Sequence, residues 1–319
     1  MILALHVNFF LLGSPSAAEF QTNGTGALTR TFLEFVCIVA VNVFVLISGW
    51  FGIRVKRKGF LKFVYQILFF YFGIYFAAVL LGKPFSWDGI TECLLFKNTG
   101  WFIKSYLCLY ILAPVLNGFL ENSDKKRIKS VIIPFFILQT LYAWIYKDAA
   151  KFFVGGYSAV SFIGLYLLAG YIRLYGKEHP LFNVKKHWDL ICFFSVCILE
   201  TIAFALLRTD NKEFASNLWI YSSPFVILSA LNLLMFFSKC KLQSRFINTV
   251  ASSSFSAYLF HSSFCILPFY SQCARKIYYG YSGLGCLGLM FGFIILVYTI
   301  AILIDRIRIF TWKLIEKRI

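Results

Sequence analysis

The chain has 319 residues, of which 60% are apolar and 14% charged, with a mean hydropathy of +0.75. Soluble domains run near 45–50% apolar and about 25% charged, so soluble globular, disordered, collagenous and small disulfide-rich classes are excluded. The net charge of +17 would suit a nucleic-acid binder, but Lys and Arg sit in short clusters between apolar blocks, as loops facing an anionic leaflet would have them. The expectation is an all-α polytopic membrane protein that takes membrane lipids and no nucleic acid as partners.

In chain order, the first apolar stretch is Met1–Leu12, interrupted by His6 and Asn8 and closed by Gly13 and Pro15. Twelve helical residues reach only about 18 Å, short of a ~30 Å hydrocarbon core. It lacks the basic n-region and small-residue cleavage site of a secretory signal. Nine longer blocks follow at roughly 33–53, 60–81, 101–120, 130–147, 158–175, 190–207, 218–238, 251–270 and 283–304. Unbroken apolarity over about 20 residues marks helices, since barrel strands alternate over about 10.

The basic residues orient these blocks. With the loop after block 33–53 placed in the cytoplasm, alternate loops carry Arg54, Lys56, Arg57, Lys58 and Lys62, then Lys125, Lys126, Arg127 and Lys129, then Arg173, Lys177, Lys185 and Lys186, then Lys239, Lys241 and Arg245. The tail adds Arg306, Arg308, Lys313, Lys317 and Arg318, so 21 of the 31 Lys and Arg fall on one side. This parity predicts about ten transmembrane helices with a cytoplasmic C-terminus and a truncated first helix. It further predicts that the functional chain begins upstream of Met1 and supplies the rest of that crossing. No connection is longer than about 20 residues, the longest lying near 13–32 and 82–100, so no soluble domain is expected.

Four polar side chains fall near the middle of predicted spans: His6, Asn42, Glu200 and His261. Ionisable groups at that depth are costly, which makes them functional candidates, although a mid-helix His or Asn also serves simply to bond a neighbouring helix. One slab around the midplane would hold all four, within reach of a shared cavity. Lys104 lies one turn inside a boundary and can snorkel outward. Trp87, Trp101, Trp144, Trp188 and Trp219 lie near predicted boundaries, as interfacial belts require. Nine scattered Cys form no C-x-x-C pair, and no Cys/His ligand spacing points to a metal.

The neighbours of these residues carry a resemblance. "LALHVNFF" around His6, "VNVFVLISGWF" (Val41–Phe51), "WFIKSYLCLYILAPVLN" (Trp101–Asn117), "GYSAVSFIGLYLLAGYIRLY" (Gly156–Tyr175) and "SSSFSAYLFH" (Ser252–His261) follow in an order and spacing that resembles the membrane acyltransferase-3 family. The likeness covers nearly the whole chain and is greatest to the branch of bacterial O-acetyltransferases for surface polysaccharides. The resemblance implies a single transmembrane acyltransferase domain over 1–319, in the cell (inner) membrane. Such a domain takes an acetyl group from acetyl-CoA inside and delivers it to a hydroxyl of a polysaccharide or glycolipid sugar. It implies His6 as the catalytic residue, matching the His of an Arg-x10-His motif whose Arg would stand before Met1. A second family motif of basic residues is loosely met by Arg54, Arg57, Lys58 and Lys62.

The chemistry of the side chains agrees. Acyl transfer from a thioester to an alcohol needs a base for the hydroxyl proton or a nucleophile that carries the acyl group, and imidazole does either near neutral pH. Coenzyme A is polyanionic, and the cluster Arg54, Arg57, Lys58 and Lys62 can hold its phosphates, although a positive-inside loop looks the same without a ligand. Asn42 and Ser48 are possible oxyanion donors, with Glu200 and His261 as supporting polar groups. Two other readings stay open: a transporter or flippase for a polysaccharide or glycolipid unit, and a catalytically inactive relative. Against the transporter, the two halves show no matching pair of Gly/Pro-broken helices.

Overall fold

In hydrocarbon a backbone N–H or C=O has no water to bond, so a spanning segment must close its own hydrogen bonds as a helix. The computed structural model describes residues 1–97, 99–147, 149–241 and 243–317, which leaves the tail cation Arg318 outside the described residues. Among the described residues there is no strand and 79% are helical, which makes this an all-α polytopic membrane protein. Seven helices are long and apolar enough to cross a bilayer: Gly24–Phe51, Arg57–Leu80, Trp101–Glu121, Lys125–Ile145, Ala159–Glu178, Lys186–Arg208 and Gly283–Glu316. They coincide with seven of the nine long apolar blocks.

The other predicted spans are shorter or interrupted, for local reasons. Block 218–238 yields the helix Pro224–Ser238, started by a proline whose missing N–H costs nothing in a first turn. Its 15 residues reach about 23 Å. Block 251–270 breaks into Arg245–Ala251, Ser254–His261 and Leu267–Gly280. Ser252 and Ser262 sit in the gaps and donate to the carbonyls of Thr249 and Tyr258, offering the backbone an alternative to the helical ladder. The first block is a short helix, Ile2–Leu5, followed by a π-helical turn, His6–Phe10. Length therefore supports seven crossings, and only the parity of the basic loops places these three blocks in the membrane.

The chain groups into two compact units, Met1–Phe9 with Gly13–Val55 and Trp101–Lys241, and Phe10–Leu12 with Lys56–Gly100 and Leu242–Ile319. In the first, Lys186–Asp210 packs on Pro224–Ser238 and Gly24–Ile38, while Ala40–Phe51 packs on Ala159–Tyr175 and Pro224–Ser238. Gly49 sets how close Ala40–Phe51 comes to its neighbour: a Cβ there would lie 2.3 Å from the Tyr166 carbonyl oxygen. Small residues at such contacts let backbones approach where no hydrophobic effect drives association.

Trp101 packs inward against Tyr157 and Tyr221, with ring centroids at 4.7 and 5.7 Å. Trp219 meets Phe9 edge-on at 5.6 Å, and Trp144 exchanges hydrogen bonds of 3.0 Å with Asn217. These three tryptophans thus have partners within the protein, whereas Trp87 and Trp188 are exposed.

The second unit packs Ser254–His261 on Gly283–Glu316 and on Arg57–Leu80. At its centre Asp305 is fully buried and accepts hydrogen bonds from Ser253 (2.7 Å), Ser256 (2.6 Å) and Arg308 Nε (2.8 Å). Gln66 extends the network by donating to Ser256 at 2.8 Å.

Two outcomes check this packing. Gly49→Ala should lower the thermal unfolding midpoint in detergent, with a cost of about 1–3 kcal/mol for the forced separation. Gly73→Ala, where an added Cβ meets nothing within 4 Å, should not lower it. Asp305→Ala strands the buried Arg308 guanidinium and should cost about 3–5 kcal/mol, with the double variant Asp305→Ala/Arg308→Met recovering most of the loss. Equal midpoints for the single and double variants would refute that pairing.

Candidate active site

The site grows from a break in the first helix. At Asn8 the backbone leaves helical geometry, with φ −79° and ψ −105°, so the ladder opens two residues after His6. The freed groups find partners on the Gly24–Ile38 helix. Glu34 Oε2 accepts from the Asn8 amide at 2.9 Å and from the Phe9 N–H at 3.3 Å. The same amide nitrogen donates to the Arg30 carbonyl at 2.7 Å, and Arg30 Nε donates to Asn8 Oδ1 at 3.2 Å. Both amide hydrogens of Asn8 and its oxygen are thereby used. Glu34 is only 1% exposed, and its Oε2 takes the bonds from Asn8 and Phe9 at the kink.

The segment that follows is clasped twice. Arg30 also donates to the Gly13 carbonyl and pairs with Glu19 at 3.3 Å, where a Ser16–Glu19 capping box starts the helix Ala17–Thr22. Arg208 donates to the Pro15 carbonyl at 2.9 Å and to Ser14 Oγ at 3.2 Å, with its guanidinium over the Phe204 ring at 5.7 Å. His6, half-buried at the start of the π-turn, therefore sits on backbone held at the kink behind it and in the loop beyond.

The Ala40–Phe51 helix carries the next group. Asn42 is fully buried and donates from Nδ2 to the Tyr221 carbonyl at 3.0 Å, while its Oδ1 has no hydrogen-bond partner among the described residues. Ser48 bonds the Phe44 carbonyl and the Tyr106 hydroxyl, each at 3.0 Å. Where the helix ends, Tyr166 Oη accepts from the Ile53 N–H (2.8 Å) and donates to Asn117 Oδ1 (2.7 Å), and Asn117 Nδ2 donates to the Ile53 carbonyl (2.9 Å). Both polar groups of one peptide residue are thus fixed immediately before the basic stretch. Arg54, Arg57, Lys58 and Lys62 are all exposed. Lys56 precedes the Arg57–Leu80 helix without a side-chain cap, which leaves first-turn N–H groups for an anion.

Glu200 on Lys186–Asp210 is 3% exposed and so faces protein, but the polar partner that a buried carboxyl calls for is not found: neither of its oxygens has a hydrogen-bond partner among the described residues. It is thus not hydrogen-bonded to His6 or Asn42, although all three belong to the first unit. His261 belongs to the second unit and is fully buried, its ring against Tyr270 at 5.3 Å and Tyr258 at 6.1 Å. Its Nδ1 lies 2.6 Å from the Ala257 carbonyl, which can only accept, so in the neutral ring Nδ1 carries the proton and Nε2 the lone pair.

Sequence reasoning passed over Glu34, Arg30, Asn117, Asp305 and Arg308. The signal for Glu34 was present, as a lone acid at the edge of block 33–53. For Asp305 and Arg308 it was hidden, because the apolar block closes at 304 whereas the helix continues to Glu316.

The family model described as an acyltransferase domain matches residues 1–306. No curated protein and no solved structure matches the chain.

The kink yields a test. Glu34→Ala leaves one Asn8 amide hydrogen and the Phe9 N–H without their acceptor and should destabilise the protein by about 1–3 kcal/mol for each buried group left unpaired. Glu34→Gln, which keeps an acceptor oxygen, should lose less. Thermal unfolding in detergent and protease nicking near residues 8–16 read both effects, and equal behaviour of the two variants would remove Glu34 from this role.

Proposed function

The chain belongs to the acyltransferase-3 family, and from that membership we propose that it moves an acetyl group from acetyl-CoA to a hydroxyl of a cell-surface polysaccharide or glycolipid sugar. That it is a membrane acyltransferase follows from the family and the apolar helices together. The family membership also favours acyl transfer over the transport reading. The acetyl donor, the sugar acceptor, the cell (inner) membrane, and ten crossings with the C-terminus inside are this reading's own. So is the treatment of both units as one acyltransferase domain.

The observation that carries the site is the half-buried His6 beside a kink pinned by Glu34 and Arg30. In the transfer, the His6 imidazole takes the proton of the sugar hydroxyl as its oxygen attacks the thioester carbonyl. The C–S bond breaks as the C–O bond forms, and the proton passes to the departing thiolate. A base held on fixed backbone loses little freedom in reaching that geometry. On the Ala40–Phe51 helix Asn42 keeps a second amide hydrogen for the oxyanion, whereas Ser48 serves only if its hydroxyl turns away from the Phe44 carbonyl; Glu200 and His261 are assigned supporting roles. Arg54, Arg57, Lys58 and Lys62 face solvent, where they can meet the phosphates of coenzyme A.

The experiment is coenzyme A release from acetyl-CoA by the purified protein, together with the acetyl content of surface polysaccharide with and without the gene. His6→Ala should abolish transfer while expression and membrane insertion stay normal. His261→Ala should slow it by a factor of about 10². Wild-type transfer by both variants would sink the assignment, and a dead His261→Ala beside an active His6→Ala would reverse the roles. Arg54→Ala/Arg57→Ala should raise KM for acetyl-CoA about tenfold, more at low salt than at high, with kcat little changed.

A further inference from the structure

Within the second unit, a cavity of about 790 Å³ lies between the Arg57–Leu80 helix and the residues 260–269. That volume falls within the ~300–1,000 Å³ of ordinary ligand pockets. Phe69, Gly73, Ala77, Phe260, Phe264 and Ile304 form much of its wall, and Lys83 is the one charged residue among the described residues that line it. At its edge Leu81 and Phe269 are 89% and 67% exposed, a rim that hydrocarbon would cover.

The position of Lys83 is built by the end of the helix. Gly82 has φ +100°, its N–H bonds the Val79 carbonyl, and the Lys83 N–H bonds the Ala78 carbonyl, each at 3.0 Å. That pair of bonds is a Schellman cap, which a residue with a Cβ would strain. Lys83 Nζ then lies 4.7 Å from the centroid of Phe264 and 3.2 Å from Cys265 Sγ, both lining residues. It forms no ion pair with a carboxylate among the described residues. An ammonium at the rim of an apolar chamber, with no acid of its own, is complementary to a molecule with a hydrocarbon chain and an anionic head.

We propose that this cavity is a binding site for an anionic phospholipid of the surrounding bilayer, with an acyl chain in the chamber and the headgroup phosphate on Lys83. The site is separate from the one proposed for coenzyme A. The 24-residue helix is about 36 Å long, with Arg57 and Lys58 at its start and Lys83 just past its end. It does not depend on the acyl-transfer reading.

The test uses the full-length protein in detergent, with phosphatidylglycerol and phosphatidylcholine of identical chains titrated in and the bound lipid counted by native mass spectrometry. Wild type should bind one phosphatidylglycerol at least tenfold tighter than phosphatidylcholine. Lys83→Gln should lose that preference and Lys83→Arg should keep it. Gly73→Leu should exclude both lipids with the thermal midpoint intact, because a Cβ there enters open space. Equal binding of the two lipids by wild type, or an undiminished preference in Lys83→Gln, overturns the proposal. Wild-type binding by Gly73→Leu does so as well, since it puts the lipid on the outer surface instead of in the chamber.

Discussion

A departure from the helical ladder inside hydrocarbon frees backbone hydrogen-bonding groups in a medium that offers none in return, and at three breaks in this protein polar side chains meet the chain. At the Asn8 kink the freed Phe9 N–H goes to Glu34. Beyond the Ala40–Phe51 helix, Ile53 is met on both sides by Tyr166 and Asn117. Where the chain breaks at Ser253, its hydroxyl turns to Asp305. These contacts concentrate the buried polar groups at irregular backbone, which is also where His6 and the start of the basic stretch lie.

The radial distribution of polarity follows from the same constraint. Large apolar side chains such as Leu199, Leu206 and Phe291 are about two-thirds exposed, while Glu34, Asn42, Gln139, Glu200, His261 and Asp305 are buried. With lipid outside, burying hydrocarbon brings little gain, so cohesion comes from close packing and from hydrogen bonds across helices. Gly49 against the Tyr166 backbone supplies the first, and Asn42 against the Tyr221 carbonyl supplies the second.

Several features were legible in the sequence. The run of apolar blocks specified a helical membrane protein, because the length of apolar sequence needed to cross a bilayer is a one-dimensional property. The motifs around His6, Ser48 and His261 pointed to the acyltransferase-3 family, whose model spans residues 1–306. The burial of Glu200 and His261 followed from the cost of placing such groups against hydrocarbon.

Tertiary structure alone decided the partners. Nothing in the spacing of Asn8, Arg30 and Glu34 announces that they meet, since the contact depends on a non-helical ψ in one residue and the packing of the short first helix on the Gly24–Ile38 helix. The inward placement of Trp101 and Trp219 likewise reflects which ring found a partner, while a sequence shows only their distance from a boundary. Asp305 and Arg308 look like tail charges until the last helix proves long enough to bury them. Crossing a membrane is a matter of summed hydrophobicity, which adds along a chain, whereas satisfying each buried polar atom requires a particular donor or acceptor in space, and that is settled only by the packed fold.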